Sequence, residues 1–103
     1  MSNPFAGEVT LVVDRMPRVC KLTLGALAEL EAALGTDTLV ALAKRFEVGA
    51  FSGRDVLALI VAGLRGGGWR GAAGDLVSAE IEGGIVRAAE AAAQLLARAF
   101  AAP

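Results

Sequence analysis

The chain contains no histidine, so the side chain best suited to moving protons near neutral pH is missing. That removes Ser–His and Cys–His nucleophile pairs and most zinc sites. Cys20 is the single thiol, and no base is spaced to activate it. It reads as a structural residue. Carboxylates come in two pairs, Glu29 with Glu31 and Glu80 with Glu82. Two positions apart on a helix they point in different directions, which argues against a shared proton or a clamped metal and for solvated faces. Gly66, Gly68 and Gly71 spell G-x-G-x-x-G. A dinucleotide-binding turn follows a strand and opens a helix, whereas this run follows a helix. Nothing in the sequence supplies catalytic residues, a cofactor site or a metal site, and no enzyme is expected.

One cluster with binding potential remains. Arg65, Trp69 and Arg70 combine cations with an aromatic ring. Three readings compete: stacking on a nucleic-acid base, anchoring a protein partner, or Trp69 folding back over the apolar end of its own helix. No wider basic patch surrounds them and the net charge is −1, so nucleic acid ranks last.

These residues are held by a stretch that must lie at the centre of the fold. Val56–Leu64 is nine residues without a polar side chain, too short to cross a membrane and too apolar to lie on a surface. Ser52 as N-cap, Asp55 as its capping-box partner and Phe51 with Val56 as a staple start this helix. Arg65 and Gly66-Gly67-Gly68 end it, giving a central buried helix over 51–66. Before it, Gly7–Val13 alternates like a strand, Asp14-Arg15-Met16-Pro17 reads as a turn, and Arg18–Leu22 alternates again. Together these predict an antiparallel hairpin over 7–22. Met16 stands where turn chemistry favours Gly, Asn or Asp.

Thr23 caps a first helix with Leu27, Leu30 and Leu34 on one face, closed by Gly35. Thr36 or Asp37 caps a second, with Leu39, Leu42, Ala43 and Phe46 inward. Residues 66–74, with five glycines, predict a mobile connection. A short helix is expected over Asp75–Glu82. A last amphipathic helix over Ile85–Ala101 carries Arg87, Glu90, Gln94 and Arg98 on its polar stripe. Its other face has Ile85, Ala88, Ala92, Leu95, Leu96, Ala99 and Phe100.

The expectation is one α+β domain over 1–103: a tail at 1–6, a two-stranded hairpin, and four to five helices over 23–101 around the central one. Hydrophobic residues make up 55% of the 103, well supplied for a chain this size. Part of that surplus is alanine serving as helix former. The rest suggests a surface kept apolar for a partner or a second copy. Its lone cysteine and the lack of a signal-peptide pattern at MSNPFAGEV make the cytoplasm the default compartment, with no membrane partner.

Several segments together resemble one family: GEVTLVVD, PRVCKLTLGALAELEAALG, LVALAKRFEVGAFSGRDVLALIVAGLRGGGW, and EIEGG before an Ala-rich helix. They look like the small tail protein of gene transfer agents, phage-like particles of alphaproteobacteria, and the likeness runs from about Gly7 to Phe100. It implies a role in gene transfer agent or prophage tails without any catalytic residue to carry over. Members bear two labels, tail tube protein and tail assembly chaperone. A chaperone of this kind is small and helical and keeps the long tape-measure protein soluble, whereas a tube subunit is usually built on a large sheet. With about 12 to 14 residues reading as strand, the chaperone role fits the pattern better. Its implied partners are the tape-measure protein, the tail tube protein, or further copies of itself. A structural tube or connector subunit is the alternative. Arg65, Trp69, Arg70, Leu95, Leu96 and Phe100 are the candidate contact residues.

Overall fold

The computed structural model describes residues 6–35 and 38–101. It begins with strands β1 (Val9–Val13) and β2 (Met16–Cys20), paired antiparallel with Val13 opposite Met16 and Val9 opposite Cys20. Five helices follow: α1 (Leu24–Leu34), α2 (Leu39–Glu47), α3 (Gly53–Gly66), α4 (Ala73–Leu76) and α5 (Gly84–Phe100). The expected α+β architecture, a hairpin on five helices, is the one found. Residues 1–5 of the expected tail and the caps proposed at Thr36 or Asp37 lie outside the described residues. Thr38 caps α2 instead, its Oγ1 accepting from the Ala41 N–H at 3.0 Å.

α3 is central. It packs against α1, α4, α5 and β2. Its start follows the expected signal closely: Ser52 Oγ accepts from the Asp55 N–H at 3.1 Å, and the Asp55 carboxylate accepts from the Ser52 N–H at 3.0 Å. Leu59, Ile60 and Leu64 are sealed in the core with Leu11, Leu30, Leu42 and Leu95. Each such side chain contributes about 1.5–3 kcal/mol by leaving water. The wrapping is incomplete, because Leu57, Ala58 and Val61 are only half-buried.

The hairpin turn is tighter than expected. Asp14 and Arg15 alone form it, both with positive φ (50° and 67°), which suits the two-residue turn that matches strand twist. Met16 and Pro17 belong to β2. Pro17 lies opposite Val12 at a pair that needs no N–H from it, so the proline is tolerated on an outer edge.

Two segments depart from expectation. Asp75–Glu82 is not one helix: α4 stops at Leu76 and the chain extends past Ala79 to pair with β1. The Asp14 N–H donates to the Glu80 carbonyl at 2.7 Å and the Glu82 N–H to the Val12 carbonyl at 3.0 Å, with Ile81 opposite Val13. Pairing with an open strand edge outweighs a weak helix propensity. The glycine run is also tied down at its start and at Gly71, where a side chain has no room, while Gly68 and Gly74 stand in open space. A side chain on Gly66 would meet the Lys21 carbonyl oxygen at 1.9 Å, and one on Gly67 the Val19 carbonyl oxygen at 1.8 Å. Glycine here lets the end of α3 press onto the backbone of β2 and of Lys21 just past it, where the Lys21 N–H donates to the Gly63 carbonyl at 2.9 Å.

The polar stripe of α5 does not simply face water. Arg87 donates to the Thr10 carbonyl at 2.8 Å and Arg98 to the Glu8 carbonyl, so two guanidinium groups cap the outer edge of β1.

Candidate partner-binding surface

After α3 the chain reverses at Gly67–Gly68, and the Trp69 N–H donates to the Leu64 carbonyl at 2.9 Å. This brings Arg65, Trp69 and Arg70 to one recess of about 370 Å³, faced by Thr23, Ala26 and Glu29 of the α1 end. Arg65 grips Glu29 with Nε and Nη2, each at 3.0 Å, and donates from Nη1 to the Gly71 carbonyl at 2.9 Å. Its hydrogen bond holds the Glu29 carboxyl below the usual carboxylate range and raises the guanidinium in return. Trp69 is half-buried and packs against the core. Its ring lies so close over Gly71 that a side chain there would come within 2.1 Å. The three residues do come together. Yet Arg65 is committed to Glu29, and Arg70 is exposed. One uncommitted cation is far short of the several phosphate contacts that nucleic-acid binding draws on.

The ridge expected from Leu95, Leu96 and Phe100 is not one surface. Leu95 and Leu96 are 1% and 4% exposed, while Phe100 is 53% exposed in the last turn of α5. Leu95 closes on α3 at Gly63, where any side chain would stand 2.7 Å from its Cδ1. As folded, both leucines belong to the core and offer no outward contact. Ile85, placed on the same apolar face of the last helix, is 75% exposed. Its direction on the helix wheel is apolar, but the first turn of α5 lies at the margin of the body and has little to bury against.

Apolar surface appears elsewhere. Leu57, Ile60, Leu76, Val77, Ile81 and Ile85 line an open recess of about 280 Å³ between α3, α4 and α5. On the other flank of Leu57 lies a narrower groove of about 190 Å³, with Leu30, Ala33 and Val61 along it and Glu29 and Arg54 at its margin. On α2 and at its C-cap, Val40 and Val48 are 73% and 65% exposed. The sequence signal for these was the surplus of apolar side chain; its position was not readable, because it depends on where the packed body ends.

The single thiol stays inside. Cys20 is fully buried, and burial pushes its thiol up to about 11, against a smaller opposing pull from Arg87. Among the described residues no three His, Cys, Asp or Glu side chains are grouped to hold a metal ion. No helix among the described residues is long and apolar enough to cross a membrane. What the surface offers is contact: two aliphatic grooves, exposed valines and isoleucine, and charged margins.

No curated protein and no solved structure matches the chain. Residues 6–102 match the family described as phage tail tube protein, GTA-gp10. That span takes in the hairpin, all five helices and every contact residue discussed above, and it agrees with the resemblance carried by the sequence segments. The chain belongs to this family of phage-like tail proteins.

Proposed function

We propose that this chain is a non-enzymatic structural subunit of a phage-like tail, joining the tube or its connector by protein contact. The observation that carries this reading is the family match across residues 6–102. The aliphatic grooves and the exposed Val77 and Ile85 support it, since surfaces of that kind are typically covered in an assembly. Mass spectrometry of purified particles tests it. Presence in fixed ratio to the other tail proteins is the expected result; absence from particles that are otherwise complete sinks it.

A second reading, the tail assembly chaperone that holds the tape-measure protein soluble, is favoured by one feature. The sheet is a two-stranded hairpin with one added bridge, a small base for a ring built from strands. Under this reading the 280 Å³ recess would take the apolar face of a tape-measure helix. Co-expression separates the two. A tape-measure protein that becomes soluble only with this chain, from particles that lack it, supports the chaperone.

A further inference from the structure

We propose that the trough between α1 and α3 receives an amphipathic helix of another protein, one that carries carboxylates at both ends of its apolar stripe. The trough is built from this chain's own groups and does not depend on which tail role the chain plays.

α1 and α3 lie side by side and run in opposite directions. Ala26 meets the end of α3, its Cβ 3.2 Å from where a side chain on Gly66 would stand. One turn on, Glu29 takes the fork of Arg65. Further along, Leu30 and Ala33 face Leu57, Ala58 and Val61. These pairings order one trough along the two helices. One half is the 190 Å³ groove, with Arg54 at its margin; the other is the 370 Å³ recess, with Trp69 and Arg70. Glu29 borders both, so its bridge to Arg65 forms the sill between them. From Arg54 to Arg65 the rise along α3 is about 16 Å, or three turns.

The groove selects a helix. Its floor is aliphatic, and Ala33 and Ala58 are small enough to let another helix approach closely. The main chain of α1 and α3 is bonded within each helix along this stretch, so an extended segment finds no backbone partner, whereas a helix arrives with its own bonds made. Charge selects what that helix carries. Arg54 and Arg70 are exposed and make no hydrogen bond or ion pair among the described residues. Arg54 also stands in the first turn of α3, the end at which the macrodipole disfavours a cation. Glu29 is the only acidic residue lining either half, and Arg65 occupies it. Asp75, close by past Ala73, accepts from the Ala72 N–H at 2.9 Å. The trough therefore has an apolar floor, an uncommitted cation at each end and no uncommitted anion in its lining. Its complement is an apolar stripe with a carboxylate at each end.

Fluorescence anisotropy on the purified full chain tests this with two labelled synthetic peptides. Both are helices of about 18 residues, roughly 27 Å, with the same stripe of leucine and alanine; one has glutamates at the two ends of the stripe, the other lysines. At low salt the glutamate peptide should bind at least about tenfold tighter, and the gap should narrow as salt rises. Arg54→Glu with Arg70→Glu should reverse that order. Both sites are exposed and a carboxylate suits the first turn of α3, so circular dichroism should show the fold kept. Ala33→Gln, which fills the groove without changing its charge, should weaken both peptides. Binding of neither peptide, equal affinity for both, a charge-swapped variant that keeps the wild-type order, or an Ala33→Gln chain that binds like the wild type each overturns the proposal. So does displacement of the glutamate peptide by a single-stranded oligonucleotide, which would make the cations a nucleic-acid track. Self-association that is lost in the charge-swapped variant overturns it too, by seating a second copy in the trough. The tail reading is decided separately, by the composition of particles, and survives any of these failures.

Discussion

Gly66 is the last residue of α3, and two effects of opposite sign act on its replacement by alanine. Helix propensity alone favours alanine by about 1 kcal/mol. Packing opposes it. The new methyl would stand 1.9 Å from the Lys21 carbonyl oxygen, 3.0 Å from the Lys21 carbonyl carbon and 3.2 Å from Ala26 Cβ. The nearest obstacle is backbone, not the free end of a side chain. Relief requires the end of α3 to move off the strand, which strains the Lys21 N–H bond to Gly63 at 2.9 Å. Overpacking of this kind costs about 1–3 kcal/mol and a lost hydrogen bond about 1 kcal/mol. Against the propensity gain, Gly66→Ala should destabilise by about 2 kcal/mol, lowering the midpoint by roughly 8–16 °C for a domain of this size. Gly67→Ala, whose methyl would meet the Val19 carbonyl oxygen at 1.8 Å, should behave alike. Gly53→Ala is the control: nothing lies within 4 Å of a side chain there, so it should be neutral or stabilise by about 0.5–1 kcal/mol. Urea unfolding followed by circular dichroism reads all three, with a change in midpoint at constant slope. If Gly66→Ala matches or exceeds the wild type, the end of α3 is not pressed onto β2 and the glycine run is a free connection after all.

Three further outcomes follow from the interior. Asp55→Asn should cost about 1.5–3 kcal/mol by breaking a fork between partly buried charges. The Arg45 hydrogen bonds hold the Asp55 carboxyl below its ordinary 3.8, so its contribution is whole above about pH 5 and is lost as pH falls through the folded value; the variant should lose that part of the acid slope. Thr10→Val should leave stability unchanged or raise it by up to about 1 kcal/mol, because Thr10 Oγ1 is buried with no partner among the described residues; a clear loss in urea would show that the hydroxyl is satisfied. Cys20 should resist a thiol reagent at pH 8 in the native chain and react fully in denaturant, since it is buried with its thiol pushed up to about 11; native reaction at the rate of a free thiol would contradict that placement.

The helices with both a start signal and an apolar period were legible in the sequence. Ser52 with Asp55, and Thr23 ahead of Leu24, fixed α3 and α1 because a cap is a local bond between nearby residues. What failed to show was decided by distant partners. Ala79–Glu82 is extended because β1 and the hairpin turn offer Val12 and Asp14 to bond with, some 66 to 70 residues earlier in the chain. Met16 and Pro17 entered β2 because Asp14 and Arg15 both accept positive φ, which for arginine no local pattern announces. At the candidate surface, Arg65, Trp69 and Arg70 were found together because they are neighbours in sequence. Glu29, which engages Arg65, lies 36 residues away and left no trace in the spacing. Leu95 and Leu96 were rightly apolar but were assigned to the surface; periodicity gives a direction, and only packing says whether anything lies there.

The arginine caps on β1 bear on how the chain behaves when it accumulates. Arg87 and Arg98 occupy carbonyls at Thr10 and Glu8, the 80–82 segment covers the end of that flank, and on the far side Pro17 has no N–H to give. A stranger strand finds no continuous row of vacant groups to copy itself onto. At high concentration the chain is thereby guarded against strand-by-strand fibre growth.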